Sequence, residues 1–258
     1  MPNSRELLSR RQAIGLLAGL GAGVVAAACG GGSSSKSASS TTTGSSSAGS
    51  SGSTAATGAA CILTPEVTEG PFYLDIDKVR SDITEGKPGT PLDLKLTVVD
   101  ASACTPIRDA AIDVWHCDAG GVYSGFSQAS SGGRGGPGGG SQSATEDQTF
   151  LRGTQLTGAN GLGEFQTIYP GWYRGRAVHI HVKVHVGGPV VHTGQLFFDD
   201  GLTDRMYRST PYSSRGTRDV RNSADSIYRD AGAASAVLTM TPNGNGYVGE
   251  ITVGVKRT

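Results

Sequence analysis

From residue 91 onward, apolar and polar positions alternate with period two in several short runs. Leu92-Asp-Leu-Lys-Leu-Thr-Val-Val99 alternates along most of its length, Ala111-Ile-Asp-Val-Trp115 does so briefly, and His179-Ile-His-Val-Lys-Val-His-Val186 does so cleanly. Such alternation places successive side chains on opposite faces of a strand. Val190 to Phe198, Val237 to Met240 and Tyr247 to Val255 are further β-rich runs bounded by Gly, Pro or Asn. Only Thr217 to Ala231 offers a short helix, and there is neither βαβ alternation nor an internal repeat. The pattern predicts an all-β fold: an antiparallel β-sandwich with long loops and little helix.

The first 60 residues follow none of these periods. Residues 1–28 read as a signal peptide: a basic start with Arg5, Arg10 and Arg11, an apolar stretch from Ile14 to Ala28, then small residues before Cys29. Ser9-Arg10-Arg11 resembles a twin-arginine signal. Ala26-Ala27-Ala28-Cys29 resembles a lipobox, in which the cysteine receives lipid after cleavage. After Cys29, residues 30–60 are Ser, Gly, Thr and Ala with one charge, Lys36, so residues 29–60 are expected to form a lipidated cysteine and a disordered tether. The folded domain is expected over residues 61–258. Export is expected, either to the outer face of the cytoplasmic membrane as a lipoprotein or into the medium, with the membrane touched only through lipid on Cys29.

Composition narrows the function classes. Lys plus Arg equals Asp plus Glu at 22 each, so the net charge of +0 lacks the basic footprint of a nucleic-acid binder. Glycine crowds residues 131–141 without the strand-then-helix context of a phosphate cradle, and reads as a mobile loop. In an oxidising compartment, Cys61, Cys104 and Cys117 leave one thiol unpaired. Cys61 opens the domain and Cys104 sits in a turn-like Ala-Cys-Thr-Pro, which favours that pair. Cys117, beside Trp115, reads as a buried thiol.

The chemistry concentrates around His179-Ile180-His181. On a strand the two imidazoles share one face and can chelate a borderline metal. An exposed polar face explains the same pattern, and His185 repeats it. Upstream lie Thr167-Ile-Tyr-Pro-Gly-Trp-Tyr173, Gly175-Arg176-Ala-Val-His179, Asp113-Val-Trp-His-Cys-Asp-Ala-Gly-Gly-Val-Tyr123, Leu63-Thr-Pro-Glu-Val-Thr-Glu-Gly-Pro-Phe-Tyr73 and Phe150-Leu-Arg-Gly-Thr-Gln155. In that order these strings resemble the intradiol ring-cleavage dioxygenases, the class of catechol 1,2-dioxygenase and protocatechuate 3,4-dioxygenase, in its secreted bacterial branch.

The resemblance implies non-haem Fe(III) held by Tyr123, Tyr173, His179 and His181. It implies a catechol-type substrate, cleaved with O2 between its two hydroxyl-bearing carbons to a cis,cis-muconate-type product. Tyr173 would be the base that leaves the metal, Arg176 the active-site arginine and Gln195 a glutamine near the substrate. The helical dimerisation region of the catechol-cleaving branch has no counterpart here, so that dimer is not expected. Two other functions fit the same strands: a non-catalytic β-sandwich lipoprotein that binds a ligand or partner, and a copper-binding export protein using His179, His181 and a further histidine. His116 reads as a packed strand histidine, and His185 and His192 as surface groups or groups behind the site. Tyr73 either lines the pocket or packs.

Overall fold

Leu92, Leu94, Leu96 and Val98 turn the same face of β1 (Pro91–Asp100) inward and are almost wholly buried. That is the outcome expected when a two-residue period meets a hydrophobic core. The computed structural model describes residues 62–257 except Asp77 and residues 128–143. The signal peptide, the tether, Cys29, Cys61 and the glycine-rich stretch 131–141 all lie outside the described residues.

Eight more strands follow: β2 (Thr105–Pro106), β3 (Ala111–Trp115), β4 (Arg152–Leu156), β5 (Leu162–Ile168), β6 (His179–His185), β7 (Val190–Phe197), β8 (Thr239–Asn243) and β9 (Gly246–Val255). They form two sheets. One runs β2-β1-β9-β8 with β5 also on β1, and the other runs β4-β3-β6-β7. Leu92, Leu94, Leu96, Phe165 and Val253 of the first sheet meet Ile112, Val114, Ile180, Val182, Val184 and Leu196 of the second in one core. The molecule is thus the expected all-β sandwich. One strand pair is parallel: β9 runs beside β1 from Leu92↔Tyr247 to Asp100↔Val255. The other strand pairs among the described residues are antiparallel.

The helical content is as small as expected, but its placement differs. The run Thr217 to Ala231 holds only a 3-10 turn, Asn222–Ala224, and a short helix, Ser226–Asp230. Asp225 divides them with extended backbone, because its carboxylate caps the second piece. A helix over Asp200–Met206, here α1, was not anticipated; Asp199 caps it by accepting from Leu202 N. Ser226–Asp230 is α2. Strands β4 and β5 also escaped notice, since Gly153 and Gly163 blur the alternation.

The second sheet is covered on both faces. Every residue of β6 is buried, including its polar alternates His179, His181, Lys183 and His185. The segment 66–76 lies over that polar face. Gln195 Nε2 donates to Thr68 O at 2.9 Å, Lys183 pairs with Glu69, and Tyr73 packs on Trp115 with ring centroids 4.9 Å apart. Cys104 is disulfide-bonded, and Cys117 is free and buried. Among the described residues no helix is long and apolar enough to cross a membrane.

Candidate active site

The covered face of the second sheet is where the chemistry gathers. His179 and His181 alternate with core residues on β6, and their Nε2 atoms stand 3.1 Å apart. His179 Nδ1 lies 2.7 Å from the Ala177 carbonyl, which can only accept, so Nδ1 carries the proton and Nε2 keeps its lone pair. His181 is held by packing. Its register partner Trp115 stacks on one face at 4.8 Å and 7°. Gly70 sits close by, where a Cβ would come within 3.2 Å of His181 Cε1.

The two tyrosines arrive on loops. After β3, Asp118 Oδ1 accepts from Gly120 N at 2.9 Å and Val122 N at 3.0 Å, and this turn delivers Tyr123. After β5, Pro170 and Gly171 end the strand, Gly171 N donates to Asp118 O at 3.1 Å, and the chain reaches Tyr173. The buried Cys117 thiol donates to the Gly171 carbonyl at 3.3 Å and ties the same two loops. Tyr123 Oη then lies 3.1 Å from His181 Nε2, and Tyr173 Oη 3.2 Å from His179 Nε2. Two phenols and two imidazoles therefore converge at one point from three separate segments.

All four are buried, and burial decides their charge. It holds both imidazoles well below the ordinary histidine range, with the Arg176 cation adding to the effect. It pushes Tyr123 well above the ordinary phenol range, reinforced by Tyr173. Tyr173 is pushed up to about 12 by burial, while the nearby Arg176 charge works in the opposite direction. Without a metal the set is four neutral groups. Two neutral nitrogen lone pairs and two ionisable phenols suit a hard, highly charged cation that can drive off both phenolic protons. Among the described residues no cluster of three or more His, Cys, Asp or Glu side chains could hold a metal ion. A complete ligand set around the histidine pair therefore needs the phenols.

Arg176 and Gln195 flank this set. Arg176 Nε donates to Asp225 Oδ2 at 2.9 Å, and Arg176 Nη2 donates to Gln195 Oε1 at 2.5 Å. Gln195 is the register partner of His181, so its place follows from the β6–β7 pairing.

No family model matches the chain. A chlorocatechol 1,2-dioxygenase of Rhodococcus opacus is 30% identical over 165 residues, which cover 53% of this chain and 56% of that enzyme. The chain thus matches little more than half the length of that curated relative. An intradiol ring-cleavage dioxygenase from Tetranychus urticae is 33% identical with a TM-score of 0.70, and the match covers 76% of this chain and 95% of the other. The chain belongs to the intradiol ring-cleavage dioxygenases. The dioxygenase domain of a carbohydrate-binding fusion protein from Streptomyces sp. SirexAA-E matches over its whole length at 27% identity and a TM-score of 0.55.

Within this intradiol dioxygenase, the structure decides between the readings open for several residues. His185 and His192 are both buried, not at the surface. His185 Nε2 lies 3.1 Å from Asp113 Oδ2, and His192 faces the core over Gly194. Tyr73 packs behind the site, with its hydroxyl donating to Asp113 Oδ2 and Lys183 over its ring. His116 is packed as expected, bridging the Cys117 carbonyl and Thr167 Oγ1. Two residues went unnoticed in the sequence. One is Asp225, the buried partner of Arg176. The other is Arg152, whose buried guanidinium donates to Ser124 Oγ, Ser124 O and Phe72 O. Arg152 thereby joins the 66–76 segment to the Tyr123 loop. Its position in Phe150-Leu-Arg-Gly-Thr-Gln155 was the only available signal.

Proposed function

We propose that this chain binds one ferric ion through Tyr123, Tyr173, His179 and His181, and cleaves a catechol-type ring with O2 between the hydroxyl-bearing carbons. The convergence of two phenols and two neutral imidazoles beside a buried arginine carries this reading. Ferric iron would supply the Lewis acidity that ionises phenols and catechol and the electron demand that activates the ring toward O2. The chain supplies the rest. Arg176 favours the anions of both phenols and figures more prominently at Tyr173, whose Oη is the atom suited to take a proton from a substrate hydroxyl. Tyr123, more strongly shifted, serves as a retained ligand. Arg176 provides fixed positive charge where negative charge builds on the ring. The 66–76 segment over the sheet keeps bulk water from the histidine pair.

A copper site would draw on a third histidine, and the geometry disfavours it: His185 is turned to Asp113, and His192 lies on the core face. The test is colour, metal and oxygen together. Protein produced with iron available should be reddish, hold about one iron per chain and consume O2 with catechol to yield a muconate. A colourless protein with stoichiometric copper or zinc would sink the assignment.

The proposal extends to location: an exported protein anchored by lipid on Cys29. Membrane fractionation should find the wild type with the membrane and Cys29→Ala in the soluble fraction. Release of the wild type into the medium would defeat the anchor.

A further inference from the structure

Arg176 is a long, flexible cation, yet it is buried, and something must decide which of its nitrogens meets the site. Its Nε donates to Asp225 Oδ2 and its Nη2 to the neutral Gln195 Oε1. Nη1 has no acceptor among the described residues. Among the described residues Asp225 is the one carboxylate paired with Arg176, and the two side chains are 2% and 4% exposed respectively.

Asp225 is also committed elsewhere. Its Oδ2 accepts Ala177 N at 2.8 Å, two residues before His179. Its Oδ1 accepts Ile227 N at 2.8 Å and Tyr228 N at 3.4 Å, capping α2. One carboxylate therefore holds the arginine, the backbone leading into β6 and the start of a helix.

We propose that Asp225 is the positioning residue for Arg176: by fixing the Nε edge, it leaves Nη1 as the free donor for the anionic substrate ring. This rests on the ferric dioxygenase reading above. Charged donors are useful in a site only when their orientation is set in advance, and misplacement by about 1 Å can cost on the order of 10²-fold. Gln195 completes the device from the other side. Its Nε2 is anchored to Thr68 O, so its Oε1 is aimed at Arg176 Nη2. The competing account is that Asp225 merely caps α2.

Asp225→Asn separates the two. Asn caps helices about as well as Asp. With its carbonyl oxygen kept on Ile227 and Tyr228, its amide would face the N–H groups of Arg176 and Ala177, donor against donor. Asp225→Ser can cap but is too short to reach Arg176. In the full chain both variants should keep iron and resting colour, with a lowered melting temperature because buried Arg176 loses its anionic partner. Their kcat for catechol should fall about 10–100-fold, as for other residues that orient a functional group. In an Arg176→Ala background the same replacements should cost less than about 2-fold, since residues acting as one unit are not additive. A separate readout needs no activity. In metal-free protein the Arg176 Nε–H should give a slowly exchanging ¹⁵N–¹H signal that Asp225→Asn moves or removes.

Equal losses in both backgrounds, or wild-type turnover in Asp225→Asn, would overturn the proposal. So would an unchanged Arg176 Nε–H signal. A wild type with neither colour nor oxygen uptake would instead overturn the ferric reading, and the arginine signal would still decide whether Asp225 holds Arg176.

Discussion

Tyr123 and Tyr173 are one residue type in one buried site, yet their surroundings separate them. Burial raises both phenols and Arg176 opposes the rise at both, more prominently at Tyr173, which is pushed up to about 12. On the proposed ferric reading, Tyr173→Phe should spare iron, which Tyr123, His179 and His181 would still hold, while changing the colour. Turnover should fall about 10²–10⁴-fold, the usual value of a positioned base. Stopped-flow mixing with catechol in the absence of O2 locates the defect, which should lie in the binding and deprotonation phase. Normal turnover by this variant would remove Tyr173 from the role of proton acceptor. The period-two pattern on β6 made His179 and His181 legible as neighbours. The arginine's own partner was not legible, because Asp225 lies in a segment whose pattern suggested only a weak helix.

At the scale of elements, the site depends on two loops that touch through backbone. A Cβ at Gly171 would lie 2.5 Å from both Ala119 O and Asp118 O. Neither is a flexible side-chain end, so Gly171→Ala must push the Tyr173 loop away from the Tyr123 loop. The expected cost is about 1–3 kcal/mol in chemical denaturation. Iron affinity should also drop about 10–100-fold through displaced ligands. Gly158→Ala is the control, because its Cβ would meet the end of the Asn160 side chain at 3.2 Å and the Leu162 carbonyl only at an ordinary 3.9 Å. Should Gly171→Ala bind iron like the control, the loop contact does not set the site. Long alternating strands such as β1 and β6 announced themselves in the sequence. Short or glycine-broken ones such as β4 and β5 did not, since five to seven residues with a missing side chain carry little periodic signal.

For the whole molecule, buried neutral histidines set the acid limit. Burial holds His116 and His192 each down to about 4. The unfolded chain takes up those protons near pH 6.5, whereas the folded chain resists until about pH 4. Their contribution is therefore intact above pH 6.5 and is lost as pH falls from there toward 4, by up to about 3 kcal/mol for each. Denaturant melts of metal-free protein between pH 7 and 4.5 should show this fall. His116→Gln, which cannot titrate, should make the fall shallower, with His192 still contributing. An equally steep fall in that variant would mean His116 is not a buried neutral group. Chelating the metal from loaded protein should lower the melting temperature at pH 7, because the ligands come from three segments that the ion would otherwise hold together.

Local covalent geometry explains what the sequence settled alone. Side chains two apart on a strand share a face whatever surrounds them, so the sandwich class and the His179–His181 pairing could be read directly. The order of the motifs likewise pointed to the family. Cys117 could be read as the unpaired thiol from its place beside Trp115. Contacts between distant segments were decided only by the tertiary structure. These include the parallel pairing of β9 with β1, the cover of residues 66–76 over the second sheet and the hold of Arg152 on the Tyr123 loop. They also include the grip of Asp225 on Arg176, across 49 positions. Each depends on which surfaces remain to be buried once the strands have paired, and no local period encodes that.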